Sequence, residues 1–209
     1  MATQGKPIIS WWWDYMESEV KKYDYAGQKG GIGTKNQWDI GVVRAGNEAT
    51  VDETLQTFYI WNNKSGVTAV QNMTNCELTI RDGNYTDGSY HEGNADSPLV
   101  TGRWIEARTF KSVKDSTGTE TPSSWTPIGL SDLGAIAKIN FEALGDGTTG
   151  SVDTFQANEI SGAVNTGTFD SQTDKNNYAK VQMRLKVPAD AEAGEVAFIA
   201  RIYYSSRVV

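Results

Sequence analysis

Val181, Met183, Leu185 and Val187 alternate with Lys180, Gln182, Arg184 and Lys186. A period of two with apolar and charged positions interleaved predicts a strand with one face buried and the other in water. After the turn-rich link Pro188 to Gly194, the residues Val196, Phe198, Ala200, Ile202 and Tyr204 again take every second position. This predicts a second strand, paired with the first as a hairpin through a long loop. The alternate face of that second strand carries Ala197, Ile199 and Tyr203, with only Arg201 charged, so both of its faces are expected to meet protein.

Three further stretches, Trp38 to Val43, Thr54 to Trp61 and Thr74 to Arg81, are rich in β-branched and aromatic residues and bounded by Gly, Asn and Asp, so they are read as strands. Val100 to Val113 predicts a strand bent or interrupted near its middle. Ile136 to Leu144 fits a short strand or one helical turn equally well. Many short strands separated by turn signals, in a chain with 21 glycines, predict an all-β fold: an antiparallel β-sandwich with immunoglobulin-like or jelly-roll wiring. The one helix the pattern allows, Asp14 to Tyr23, is too short to stand without a surface to dock on. Residues 1–34 read as an extended N-terminal arm ending in a glycine hinge, and 35–209 as the sandwich. Polar insertions are expected near 82–98 and 115–127, where Pro122 and Pro127 act as breakers, and Gly145 to Ser151 resembles a hairpin tip.

A length of 209 residues suits one domain with an arm. The formal net charge of −7 repels a phosphate backbone, and the Lys21–Lys22 pair is neutralised by Glu17, Glu19 and Asp24, so nucleic acid is not an expected partner. No apolar run is long enough to span a bilayer, and the first residues lack the basic-then-apolar pattern of a signal peptide. Folding in a cytosol without membrane contact is the expectation. Cys76 is the sole cysteine, which excludes an internal disulfide.

Candidate chemistry is sparse. His91 is the sole histidine, and its neighbours Tyr90, Glu92 and Gly93 supply neither metal-ligand spacing nor a nucleophile, so it reads as a surface histidine. Cys76 alternates with Leu78 and Ile80, the position of a small buried hydrophobe rather than a reactive thiol. Asp82 to Gly88 departs by one residue from a calcium-loop pattern, and ordinary turn chemistry accounts for Asp82, Asp87 and Asp96. Gly27 to Lys35 has Gly-Thr-Lys where a phosphate loop needs Gly-Lys-Ser/Thr, so it reads as a hinge. Asn63, Asn72 and Asn84 head glycosylation-like triplets that, without a secretory signal, read as coincidence. No catalytic residue, metal or cofactor is expected.

The pattern that stands out is aromatic. Trp11, Trp12 and Trp13 are consecutive and cannot all point one way, and Tyr15, Tyr23 and Tyr25 extend the run towards the hinge. On an arm with little core of its own, these six residues are expected to bind a partner. Packing back onto the same sandwich is the alternative.

The segments Thr57 to Asn63, Met73 to Ile80 and Tyr178 to Tyr204, especially Val187-Pro-Ala-Asp-Ala-Glu-Ala-Gly194, resemble the immunoglobulin-like structural proteins of tailed bacteriophages that infect Gram-positive bacteria. That resemblance implies a non-catalytic virion protein, made in the host cytoplasm, that decorates a capsid or forms a head or tail appendage. Its partners would be other virion proteins and copies of itself. A carbohydrate-binding adhesion module is the alternative, and it requires aromatic side chains from structured strands or loops forming a flat platform. An enzyme using an acidic pair is the third reading, and no Asp or Glu pair is singled out for it.

Overall fold

A computed structural model describes residues 4–13, 23–24, 56–82, 98–114, 120–130, 136–141, 158–167, 175–192 and 198–207. Their strands are β1 (Ile9–Trp13), β2 (Tyr23–Asp24), β3 (Gln56–Asn62), β4 (Asn72–Asp82), β5 (Ile105–Lys114), β6 (Glu120–Pro122), β7 (Thr126–Leu130), β8 (Ile136–Ala137), β9 (Ile139–Asn140), β10 (Tyr178–Leu185) and β11 (Phe198–Arg207). A single helical turn, α1 (Pro98–Thr101), precedes β5. The strands form an eight-stranded sheet in the order β2-β1-β3-β10-β5-β7-β8, with β6 also on β5, and a three-stranded sheet in the order β11-β4-β9. Every pairing between these strands is antiparallel. The chain is therefore the all-β antiparallel sandwich that its alternating patterns imply.

The core lies between the sheets. Trp11, Phe58, Ile60, Val181, Met183, Leu185, Ile105, Ala107 and Ile128 from the large sheet meet Cys76, Leu78 and Ile80 from the small one. These are the alternate positions of each strand, which a pleated backbone turns to one side. Each fully buried aliphatic side chain contributes roughly 1.5–3 kcal/mol of transfer free energy. Leu99 and Val100 on α1 add to the same core. Gly129, at φ 133°, lies so close to the Val100 carbonyl that a Cβ could not fit. An L-residue there would face both backbone strain and a backbone clash.

Three strand expectations change. The hairpin of the last two strands does not form: both edges of β10 are taken, by β3 and β5, so β11 crosses to the other sheet and pairs along β4 from Asp82 to Asn72. A register shift between Tyr203 and Ser205 absorbs the length of that pairing. Within the expected polar insertion 115–127, the described residues from Glu120 onward are largely strand, since β6 and β7 both run along one edge of β5. Glu120 to Leu130 is thus one return strand, broken at Ser123–Trp125. At the break the Ser123 N–H donates to the Thr109 carbonyl (2.7 Å), and its hydroxyl accepts the Thr109 N–H (3.0 Å), so the ladder is completed from a side chain. Pro122 lies on β6, which pairs only with β5, and Pro127 on the part of β7 that β8 does not reach, so each has one side without a ladder where a missing N–H is tolerated. Ile136 to Leu144 resolves into the short strands β8 and β9 over its first residues. The expected strand Trp38–Val43, helix Asp14–Tyr23 and hairpin tip Gly145–Ser151 lie outside the described residues, except that Tyr23 belongs to β2.

One end of the sandwich is tied by buried asparagines. Asn62 accepts the Ile8 N–H and donates to the Gln71 and Ile160 carbonyls (3.0 and 3.3 Å). Asn63, at φ 61°, donates to the carbonyls of Thr68, Gly162 and Ala163. Asn165 reaches back to the Asn63 carbonyl and the Ser65 N–H, and Asn72 bonds both Glu159 and the Gly162 N–H. Side-chain amides here do the work of a missing ladder, satisfying backbone groups that irregular segments leave open. Gly162 makes this possible by running against the Val70 and Gln71 carbonyls, leaving no room for a side chain. Asn63 and Asn72 are buried structural donors, consistent with reading their glycosylation-like triplets as coincidence.

Candidate interaction surface

The faces of a strand are set by alternation, so the residues between those of the core lie on the outer face of the large sheet. On β10 these are Tyr178, Lys180, Gln182 and Arg184, on β3 Thr57, Tyr59 and Trp61, on β5 Glu106, Arg108 and Phe110, and on β1 Ser10 and Trp12. Register brings them together in rows. Trp12 stands opposite Tyr59, which stands opposite Lys180; Thr57 is opposite Gln182, and Gln182 opposite Arg108; Arg184 is opposite Glu106.

The first part of this face is aromatic. Tyr59, Trp61 and Tyr178 form a cluster of their own with Trp12 packed against it. The Trp61 and Tyr178 rings lie 4.7 Å apart, and Tyr59 meets Tyr178 edge-on at 5.7 Å, geometries that the ring quadrupoles favour. Lys64 sits 4.1 Å over the Trp12 ring, and the Trp12 indole N–H donates to the Ser10 hydroxyl (3.0 Å). The asparagine-tied turn after β3 is what brings Lys64 to this place.

The second part interleaves cations with rings. Trp125, half-buried at the break between β6 and β7, has the Arg108 guanidinium 4.4 Å and the Arg184 guanidinium 4.3 Å from its ring centre. Lys180 lies 4.7 Å over Phe110. Arg184 is ion-paired with Glu106 across the strands. Arg108 has no carboxylate among the described residues: its Nε and Nη2 both donate to the single Gln182 Oε1 (2.8 and 2.6 Å), while Gln182 Nε2 donates to Thr57. Burial, and secondarily the Arg184 charge, push the Arg108 guanidinium pKa downward. Around the Trp125 ring the described side chains thus bring the guanidiniums of Arg108 and Arg184 together beside the carboxylate of Glu106.

The residues expected to bind a partner are divided by the sheet. Trp11 is 7% exposed, within the core, and meets Phe58 edge-on at 6.3 Å. It is therefore not an outward anchor, because Ile9–Trp13 is a strand of the large sheet whose alternation turns Trp11 inward and Trp12 outward. The Trp13 and Tyr23 backbones pair with each other; their side chains, together with Tyr15 and Tyr25, lie outside the described residues. So do His91, Asp87, Asp96 and Gly27 to Lys35. Cys76 is buried in the core, where loss of hydration raises its thiol pKa to about 12, in keeping with a packed hydrophobe. Among the described residues no group of three or more His, Cys, Asp or Glu is placed to hold a metal ion.

Sequence reasoning missed Trp125, Arg108 and Arg184 as a unit. The polar alternation of β10 was visible, but β5 and the return strand meet it only through pairing. No protein-family model, curated protein or solved structure matches the chain.

Proposed function

We propose that this chain is a non-catalytic structural protein of a tailed-phage virion, a capsid decoration or a head or tail appendage, that docks on other particle proteins and on copies of itself. One observation carries the reading: beside a buried aromatic cluster, the outer face of the large sheet presents the half-buried Trp12, Arg108, Trp125 and Arg184. These residue types anchor protein interfaces because they bring large contact area and directional donors at low entropic cost. Among the described side chains, Trp12 is the member of the aromatic set Trp11 to Tyr25 that lies on this face. The β-sandwich is compatible with the phage resemblance, but a fold alone does not assign a function. Synthesis in the host cytoplasm followed by residence in the particle is part of the proposal.

Mass spectrometry of purified particles tests it: the chain is expected in a fixed copy number per particle, and its absence would reject the reading. A carbohydrate-binding module remains the second reading, because Trp12, Tyr59, Trp61 and Tyr178 do come from structured strands. Stacking on a sugar needs an open ring face, however. Tyr59, Trp61 and Tyr178 are only 9, 0 and 5% exposed, and cations lie over Trp12 and Trp125. A positive glycan array would restore that second reading.

A further inference from the structure

We infer that Arg108, Trp125 and Arg184 form a docking site for an acidic, extended protein segment, whose carboxylates the two guanidiniums receive. The inference rests on the docking reading above and names the chemistry of the partner. Three observations support it. The first is charge complementarity: Arg108 and Arg184 share the Trp125 ring with one carboxylate, Glu106, beside them, so the site keeps an excess of positive charge that an acidic partner matches.

The second is preorganisation. Trp125 holds both guanidiniums within 4.4 Å of its ring centre, and Gln182, itself bonded to Thr57, fixes the Arg108 fork. Arginines held this way lose little rotamer freedom when they bind. The third is unused capacity. Glu106 already engages Arg184, but the fork of Arg108 meets a single neutral oxygen where a carboxylate would supply two and a charge. The Nη1 side of Arg108 has no acceptor among the described residues. A neutral ligand would leave that charge unmatched, and a cationic one would be repelled.

The test titrates the full chain with poly-L-glutamate at low and at physiological salt, with duplex DNA as a competing polyanion and poly-L-lysine as the opposite charge. Saturable binding of polyglutamate that weakens with salt is expected, with no binding of polylysine. Arg108→Gln is expected to weaken it by at least about tenfold, the loss of a charge-assisted contact. Trp125→Leu, which leaves every charge in place but removes the platform, is expected to weaken it several-fold. The Trp125 variant also decides the matter should Arg108→Gln fail to fold.

No polyglutamate binding, equal binding by folded variants, or tighter binding of DNA than of polyglutamate would each overturn the inference. Failure of this site and of the virion reading are distinguishable. Polyglutamate binding by a chain absent from particles removes the virion reading alone. A particle-borne chain indifferent to polyglutamate removes the site alone.

Discussion

The two faces of the large sheet are built from the same strands and obey opposite rules. On the inner face Ile60, Val181, Met183, Ala107 and Ile105 are buried without polar atoms, and their worth is set by volume and fit. The outer face of the same strands carries Tyr59, Lys180, Gln182, Arg184, Glu106 and Arg108, held by ring contacts, amide bonds and the Arg184–Glu106 ion pair. The difference teaches where each kind of energy is useful. Close packing decides whether the sandwich folds, whereas half-buried charge contributes little to folding and retains most of its capacity for a partner.

Substitutions on the two faces should separate these roles. Met183→Ala, at the centre of β10 and fully buried, should cost about 2–5 kcal/mol through lost transfer energy and a residual cavity. Urea unfolding measures it, and a cost below that of a surface mutation would break the comparison. Asn62 is a buried polar residue on the inner side, and Asn62→Ala leaves the Ile8 N–H and the Gln71 and Ile160 carbonyls without this side-chain partner. A loss of about 1–3 kcal/mol is expected, with faster hydrogen exchange at Ile8.

Outer-face changes should be smaller. Glu106→Gln removes the ion pair with Arg184, whose side chains are 12 and 23% exposed respectively. Less than about 1 kcal/mol is expected from a partly hydrated pair, read by the same unfolding curve. A cost equal to that of Met183→Ala would erase the distinction between the faces.

The smallest effect at neutral pH concerns Cys76. Its thiol pKa rises from the ordinary 9.0 to about 12 on burial, so the native state holds its proton more tightly than the unfolded chain does. The resulting stability is fully present below about pH 9 and is lost as pH rises towards 12. Cys76→Ala should remove that part of the alkaline slope. At pH 8 the native thiol should react with a thiol reagent only as fast as the fold opens.

Alternation made much of the fold legible in the sequence. The β-branched and aromatic runs Thr54–Trp61 and Thr74–Arg81 place β3 and β4 within a few residues, and Lys180 to Leu185 shows which side of β10 is wet, because side-chain period is a local property of an extended backbone. Cys76 was legible for the same reason. The candidate surface was legible only in fragments: the β10 cations were visible as a polar face, but Trp125 sat in what reads as a loop with two prolines.

By itself, then, the sequence determined the class of fold, the strands β3, β4 and β10, and the inward face of β4 and β10, all from patterns spanning fewer than a dozen residues. Tertiary structure alone decided the partners of those strands: that β11 joins β4 rather than β10, that Trp11 closes the core while Trp12 faces outward beside Tyr59, and that Trp125 comes to rest between Arg108 and Arg184. Pairing is a competition among sheet edges far apart in the chain, settled by which register buries the most apolar surface at once. No local pattern holds that information.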